Sequence, residues 1–339
     1  MTATSLSKQP VGRPAVRDPA LRRSLRDREN LSRRKIRGKV HPNRGLSGKS
    51  RMIGFLLGAA SPLATCKDLM SVHRDSVLFV TLDSCRFDTF LAASAPNMKA
   101  IAPLHKASAP SHFTFGSHAA MFVGFTPSIG GCGEPFLDNK FAKIFKLAGG
   151  GYSGNKPEFD LTGTNVIAGF RRLGYTTIGS GAVGWFDPQT ETGRNLTCDF
   201  EHYFYVGTDG AKQIAWMRQR IEAANDKPVF CFLNLGETHV PYWHKGASWS
   251  RNDNPCQPYG KTNRADDCRL RQRLCCEYID REIKDLLEPF FGATILICAD
   301  HGDCWGEDNL WEHGVSHSMT LTVPLIVRIR GKPIAKTGN

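Results

Sequence analysis

Three short segments of this 339-residue chain carry residue types suited to metal, acid–base or nucleophilic chemistry. Asp83, in Leu82-Asp83-Ser84-Cys85-Arg86-Phe87-Asp88, follows an apolar run over 77–82 without a gap. Asp300 and His301, followed by Gly302, close a second apolar run, Ile295-Leu296-Ile297-Cys298-Ala299. A carboxylate delivered to the end of a buried strand suits a hard divalent cation, and an imidazole beside it can share the same ion. Asp83 could instead cap the helix that follows. The third segment runs from Ser111 to Gly124, and its second half has helical character. A hydroxyl at the start of that helix, such as that of Thr114, would face free amide N–H groups and the positive end of the helix dipole. That place suits a nucleophile meeting an anionic substrate, though a simple N-cap is the common alternative.

These segments need elements to hold them. The continuous apolar runs at 77–82, 228–233 and 293–298 predict strands buried on both faces. Residues 175–178 and 323–327 read as further strands, the last with Pro324 near its start. Helical spacing covers 166–173, 210–223 and 268–289. Strands alternating with helices predict an α/β three-layer sandwich with a central, mainly parallel sheet. Ligands in such folds bind beyond the carboxyl ends of the strands. Segments 125–163 and 243–266 are rich in Gly, Pro, Asn and Lys and read as long loops.

In this order, the three segments resemble the alkaline phosphatase–sulfatase superfamily. Its first motif, D-S-L-R-x-D, is matched by Asp83-Ser84-Cys85-Arg86-Phe87-Asp88. Its third, D-H-G-E…G-E-H-G…H…V-P-L-I, is matched by Asp300-His301-Gly302-Asp303, Glu312-His313-Gly314, His317 and Val323-Pro324-Leu325-Ile326. An H-x-P element appears as His239-Val240-Pro241. The family's nucleophile lies ten residues before a glycine, which points from Gly124 back to Thr114. The resemblance implies an alkaline-phosphatase-like catalytic domain over 76–330. It implies Asp83, Thr114, Asp300 and His301 as ligands of one divalent metal, with Zn or Mn first and Mg or Ca as alternatives. Thr114 would be the nucleophile, His239 and His313 would act near the leaving group, His317 would contact substrate, and His118 would orient Thr114 or bind substrate.

The departures from the family narrow the chemistry. A threonine cannot become the formylglycine of sulfatases, so phosphate mono- or diesters are favoured over sulfate esters. The region matching the second-zinc element Asp-x-x-x-His, Asn234 to His239, lacks the aspartate, which favours one metal. The expected activity is a metal-dependent phosphoesterase or phosphotransferase working through a covalent threonine intermediate. The alternatives are a sulfatase-like hydrolase and a sulfatase-like binding protein that has lost catalysis.

The net charge of +12 belongs to one end of the chain. Residues 1–51 hold fifteen Lys/Arg against three Asp/Glu, and the remainder is balanced at 29 against 29. That segment has too little apolar content to fold alone and reads as a disordered basic tail able to contact anionic surfaces. Residues 52–75 read as a linker or short helix. The neutral remainder carries no nucleic-acid motif, which leaves a small-molecule ester as the expected partner. Eleven cysteines, an odd count with no C-x-x-C pair, suggest free thiols and a cytoplasmic location.

Overall fold

A computed structural model of the chain describes residues 71–124 and 165–335. The expectations for 1–51, for most of 52–75 and for 125–163 fall outside the described residues. Those described lie within one compact unit, Thr65–Asn339.

Strand β1 (Val77–Leu82) is flanked by β5 (Val229–Leu235) and β6 (Thr294–Ala299), both parallel to it. Beyond β5 lie β3 (Thr176–Gly181) and β4 (His202–Tyr205), also parallel. Beyond β6 lies β9 (Thr322–Ile329), antiparallel, which carries β2 (His105–Ser108) and β10 (Lys332–Pro333) on its outer edge. The eight-stranded sheet is therefore mainly parallel, as the alternating pattern predicts. The register is what matters for a site. Leu82 pairs with both Leu235 and Ala299, so three central strands end level, and Asp83 and Asp300 leave the sheet side by side.

Alternation along β1 and β5 divides the core into two faces. Leu78, Val80, Leu82, Cys231, Leu233 and Leu235 point to an aliphatic layer under the helices Gly210–Ala223 and Ala265–Leu287. Each such fully buried aliphatic side chain contributes about 1.5–3 kcal/mol. Phe79, Phe230 and Phe232 point the other way, into an aromatic layer with Phe115 and Phe122 from the helix Thr114–Val123. Helices on both faces make the expected three layers. Segment 243–266 is a folded loop rather than a featureless one. Trp249, Cys256 and Cys268 pack with Tyr242, Cys275 and Trp305 into a third small core beyond the strand ends.

The strands β2 and β4 escape periodicity because they are half-exposed edge strands. The sequence His105-Lys106-Ala107-Ser108 shows the polar alternation of an edge, and His202-Tyr203-Phe204-Tyr205 is intermediate in burial throughout. The helix read at 268–289 runs Ala265–Leu287, and a 3₁₀ turn over Glu288–Phe290 follows it.

Candidate active site

The level ends of β1, β5 and β6 create one fully buried polar cluster from residues far apart in sequence. Asp83, Thr114, Asp300 and His301 have no solvent-exposed surface. The backbone N–H of Asp83 donates to the Leu235 carbonyl and so continues the β1–β5 ladder one residue past the strand. Ser84 then turns sharply with φ of 59°, and its N–H donates to Asp300 Oδ1 at 3.0 Å. The backbone N–H of His301 donates to the same oxygen at 3.0 Å. These bonds lock the Asp300 carboxylate across the gap between two loops.

Thr114 is the first residue of its helix. The N-cap is Phe113, which offers no side-chain cap, so the Thr114 hydroxyl is not used in capping. It lies 3.4 Å from Asp83 Oδ1 and 3.2 Å from His301 Nε2. Gly124 ends the helix at φ of 75°, the left-handed conformation of a C-terminal stop. The competing hydroxyl of Ser117 donates to the carbonyls of Asp300 and Ser111, at 2.6 and 3.1 Å. It ties the helix to the Asp300 loop rather than facing the cluster. Gly302 is demanded by packing, since a Cβ there would lie 2.3 Å from the Met319 carbonyl oxygen.

The donor set fits a divalent cation. Burial first, then the charge of Asp83, pushes the Asp300 carboxyl well above the usual carboxylate range. Its Oδ2 is buried without a hydrogen-bond partner. Two carboxylates so close, one with an orphaned oxygen, are costly without a counter-charge. His301 donates through Nδ1 to the Gly302 carbonyl at 3.0 Å, which leaves Nε2 bare and facing Thr114. Burial, and then the neighbouring His313, hold its pKa well below the ordinary value, so it stays neutral, as a ligand must. Ligand atoms of Asp83, Asp300 and His301 all lie within 4.8 Å of one another. Asn234 completes the floor: its Nδ2 donates to Asp83 Oδ2 and to Thr81 Oγ1, each at 3.1 Å.

His118, expected to meet substrate, is wholly buried behind Thr114. Its ring is ringed edge-on by Phe122, Phe186 and Phe232. Nδ1 donates to the Thr114 carbonyl at 2.8 Å and Nε2 accepts from Thr81 Oγ1 at 3.0 Å. Burial lowers its pKa to about 4, so it is neutral and has no face open to a ligand. Its contacts join the Thr114 helix to β1 instead.

The remaining histidines divide. His313 lies against His301, with ring centroids 4.5 Å apart, and His239 lies 5.1 Å from His313. His313 Nδ1 donates to Asp303 Oδ1 at 2.8 Å, and Asp303 Oδ2 accepts from the buried Tyr242 hydroxyl at 2.7 Å. Burial alone would lower the His313 pKa, but the Asp303 hydrogen bond and charge outweigh it and raise it to about 9. His239 Nδ1 bonds the Val240 carbonyl at 2.8 Å. His317 does not join this group. Its Nδ1 caps the helix Ser318–Leu321 and its Nε2 pairs with Asp308, so both nitrogens are engaged away from the cluster.

Sequence reasoning missed Asn234, Tyr242 and Gln272. Asn234 is the one amide in an apolar strand and sits level with Thr81, a signal that a polar floor lies at that strand end. Tyr242 follows the H-x-P element and carried no signal of its own.

No family model matches the chain, and no curated protein matches it in sequence. Solved structures do match in fold. The C-terminal periplasmic domain of phosphoethanolamine transferase EptC from Campylobacter jejuni is 12% identical with a TM-score of 0.52, covering 78% of this chain and 81% of that one. The corresponding Escherichia coli EptC domain, in complex with Zn, is 12% identical with a TM-score of 0.51, covering 81% and 78%. A candidate sulfatase from Bacteroides thetaiotaomicron is 11% identical with a TM-score of 0.51, covering 76% and 65%. The chain shares the α/β fold of these phosphoethanolamine transferase domains and of this candidate sulfatase.

The cytoplasmic placement is corrected by the same comparison, because the two transferase structures are periplasmic domains. The thiols are no argument against this. Eight of the nine described free cysteines are buried, where each packs as a small apolar group whatever the compartment. Among the described residues, no helix is long and apolar enough to cross a membrane.

Proposed function

We propose that this chain is a metal-dependent phosphoesterase or phosphotransferase whose nucleophile is Thr114. The observation that carries this reading is the uncapped Thr114 hydroxyl facing Asp83 Oδ1 and His301 Nε2 beside the orphaned Oδ2 of Asp300. Asp83, Asp300, His301 and Thr114 Oγ1 would hold one divalent cation, Zn as in the Escherichia coli EptC structure or Mn, both of which suit mixed oxygen and nitrogen donors. A cation held there would lower the pKa of the threonine hydroxyl and polarise a substrate oxygen.

The chain's own residues supply the rest. The Thr114 hydroxyl can pass its proton to Asp83 Oδ1, 3.4 Å away, since the one free lone pair of His301, on Nε2, would be taken up in holding the cation. Its oxygen attacks phosphorus as the bond to the leaving oxygen breaks, giving a phosphothreonine. His313, held protonated by Asp303, stabilises charge on the phosphoryl oxygens and can give its proton to the leaving oxygen. His239, beside it, can serve the same leaving group. Water or an acceptor alcohol then attacks phosphorus and frees Thr114. Phosphate esters are preferred to sulfate esters because the nucleophile is a threonine.

The test is a direct one. The purified full chain, stripped with chelator and titrated with Zn²⁺, should take up one ion and then hydrolyse aryl phosphate mono- or diesters far faster than aryl sulfates. Asp300→Asn should abolish uptake. Its metal-free form should melt above the metal-free native protein, because a buried unpaired carboxylate has gone. Native protein that takes up no ion, or that turns over sulfate esters preferentially, would overturn the reading.

A further inference from the structure

We propose that Gln272 is a positioning residue that sets the metal-ligand loop against the His239 loop. The inference rests on the reading of Asp83 as a metal ligand. Asp83 and His239 come from loops that leave neighbouring strands, β1 and β5. Neither loop is regular, and both turn buried carbonyls into the gap between them. The Gln272 side chain fills that gap from the helix Ala265–Leu287 and has no exposed surface. Its Nε2 donates to the Ser84 carbonyl at 2.9 Å and to the Thr238 carbonyl at 3.0 Å. Its Oε1 accepts from the Arg86 backbone N–H at 3.1 Å.

Only a primary amide of this length meets all three demands. Glutamate offers the acceptor without the donors, and lysine or arginine offers donors without an acceptor. An apolar side chain would leave two carbonyls and one N–H buried and unpaired. The three bonded groups lie next to the groups that matter. Ser84 follows Asp83 and its N–H holds Asp300 Oδ1. Thr238 precedes His239, and its hydroxyl donates to the Asp83 carbonyl at 2.7 Å. One side chain thus fixes the distance between the carboxylate ligands and the leaving-group histidine, although it touches none of them.

The test compares native full-length protein with Gln272→Glu, which preserves volume and the bond from Arg86 but loses both donors. Two quantities are measured: the Zn²⁺ dissociation constant by titration of the metal-free chain, and kcat against KM on an aryl phosphodiester. The expected result is Zn²⁺ binding weakened about tenfold, the low end for outer-shell partners, with kcat falling more than KM changes. Gln272→Asn keeps the amide on a shorter stem that can reach only one of the two carbonyls. It should give a smaller loss of the same kind, and it decides the matter if the glutamate variant does not fold. A variant that melts lower yet binds Zn²⁺ and turns over like the native protein would reduce Gln272 to a core residue and overturn the proposal. Native protein that binds no Zn²⁺ would instead sink the metal-site reading, and this inference with it.

Discussion

His301 and His313 lie with ring centroids 4.5 Å apart, yet one is held neutral and the other charged. The difference lies in what each Nδ1 meets. His301 Nδ1–H donates to a neutral carbonyl, that of Gly302, in a fully buried place. His313 Nδ1–H donates to the Asp303 carboxylate, itself steadied by Tyr242. The floor of the site therefore collects negative oxygens around a bare imidazole nitrogen, and the rim presents a cation above it. Burial alone does not decide an imidazole's charge, because the partner of its second nitrogen can overrule it.

The contrast is broken most severely at the floor. Thr114→Ala should lower kcat at least about a thousandfold, since it removes the attacking oxygen. The thermal transition should stay close to native because that hydroxyl caps no helix. Thr114→Ser should keep a substantial part of the activity. Near-native turnover by Thr114→Ala would move the nucleophile elsewhere.

The rim should be worth less. His313→Asn should lower kcat about a hundredfold, within the range of a single general acid. The pH profile sharpens the point. With its pKa raised to about 9, His313 is charged below that value and loses its proton above it. Its ion pair with Asp303 accordingly stabilises the fold at lower pH, and that contribution fades as pH rises through about 9. Activity should fall over the same limb, and the limb should vanish in His313→Asn. A limb that survives in the variant would assign it to another group.

The smallest effect is expected at His317, which shares the motif but not the cluster. His317→Ala should cost about 1 kcal/mol of stability through the lost cap and change kcat less than about twofold. A large loss of turnover there would show that the ring leaves Asp308 to meet substrate.

How much of this the sequence disclosed depended on distance along the chain. Asp83, Asp300 and His301 were legible because each ends an apolar run, and the structure brings them together at one sheet edge. Thr114 was legible through its spacing from Gly124. The central strands and long helices followed from periodicity, whereas β2 and β4 lack the continuous burial that produces it. Gln272 stands between Arg271 and Arg273, and the helical spacing over 268–289 did not single it out. Nothing local could show that two carbonyls from separate loops would converge on it. His118 was read from its motif position as orienting Thr114 or binding substrate, and the phenylalanines that enclose it leave only the contact to the Thr114 helix.

Because β1 lies between β5 and β6, the cluster comes into being only when strands from three distant parts of the chain have paired. The Ser84–Asp300 hydrogen bond alone spans 216 positions. A growing chain cannot complete the cluster until residue 301 has been made. Such long-range pairing is slow to form because the closure entropy precedes the reward. A ligand bridging these loops binds the completed sheet and not its precursors, so it adds its binding free energy to the last step of folding. Binding capacity acquired during refolding should therefore lag behind helix formation and keep pace with closure of the sheet.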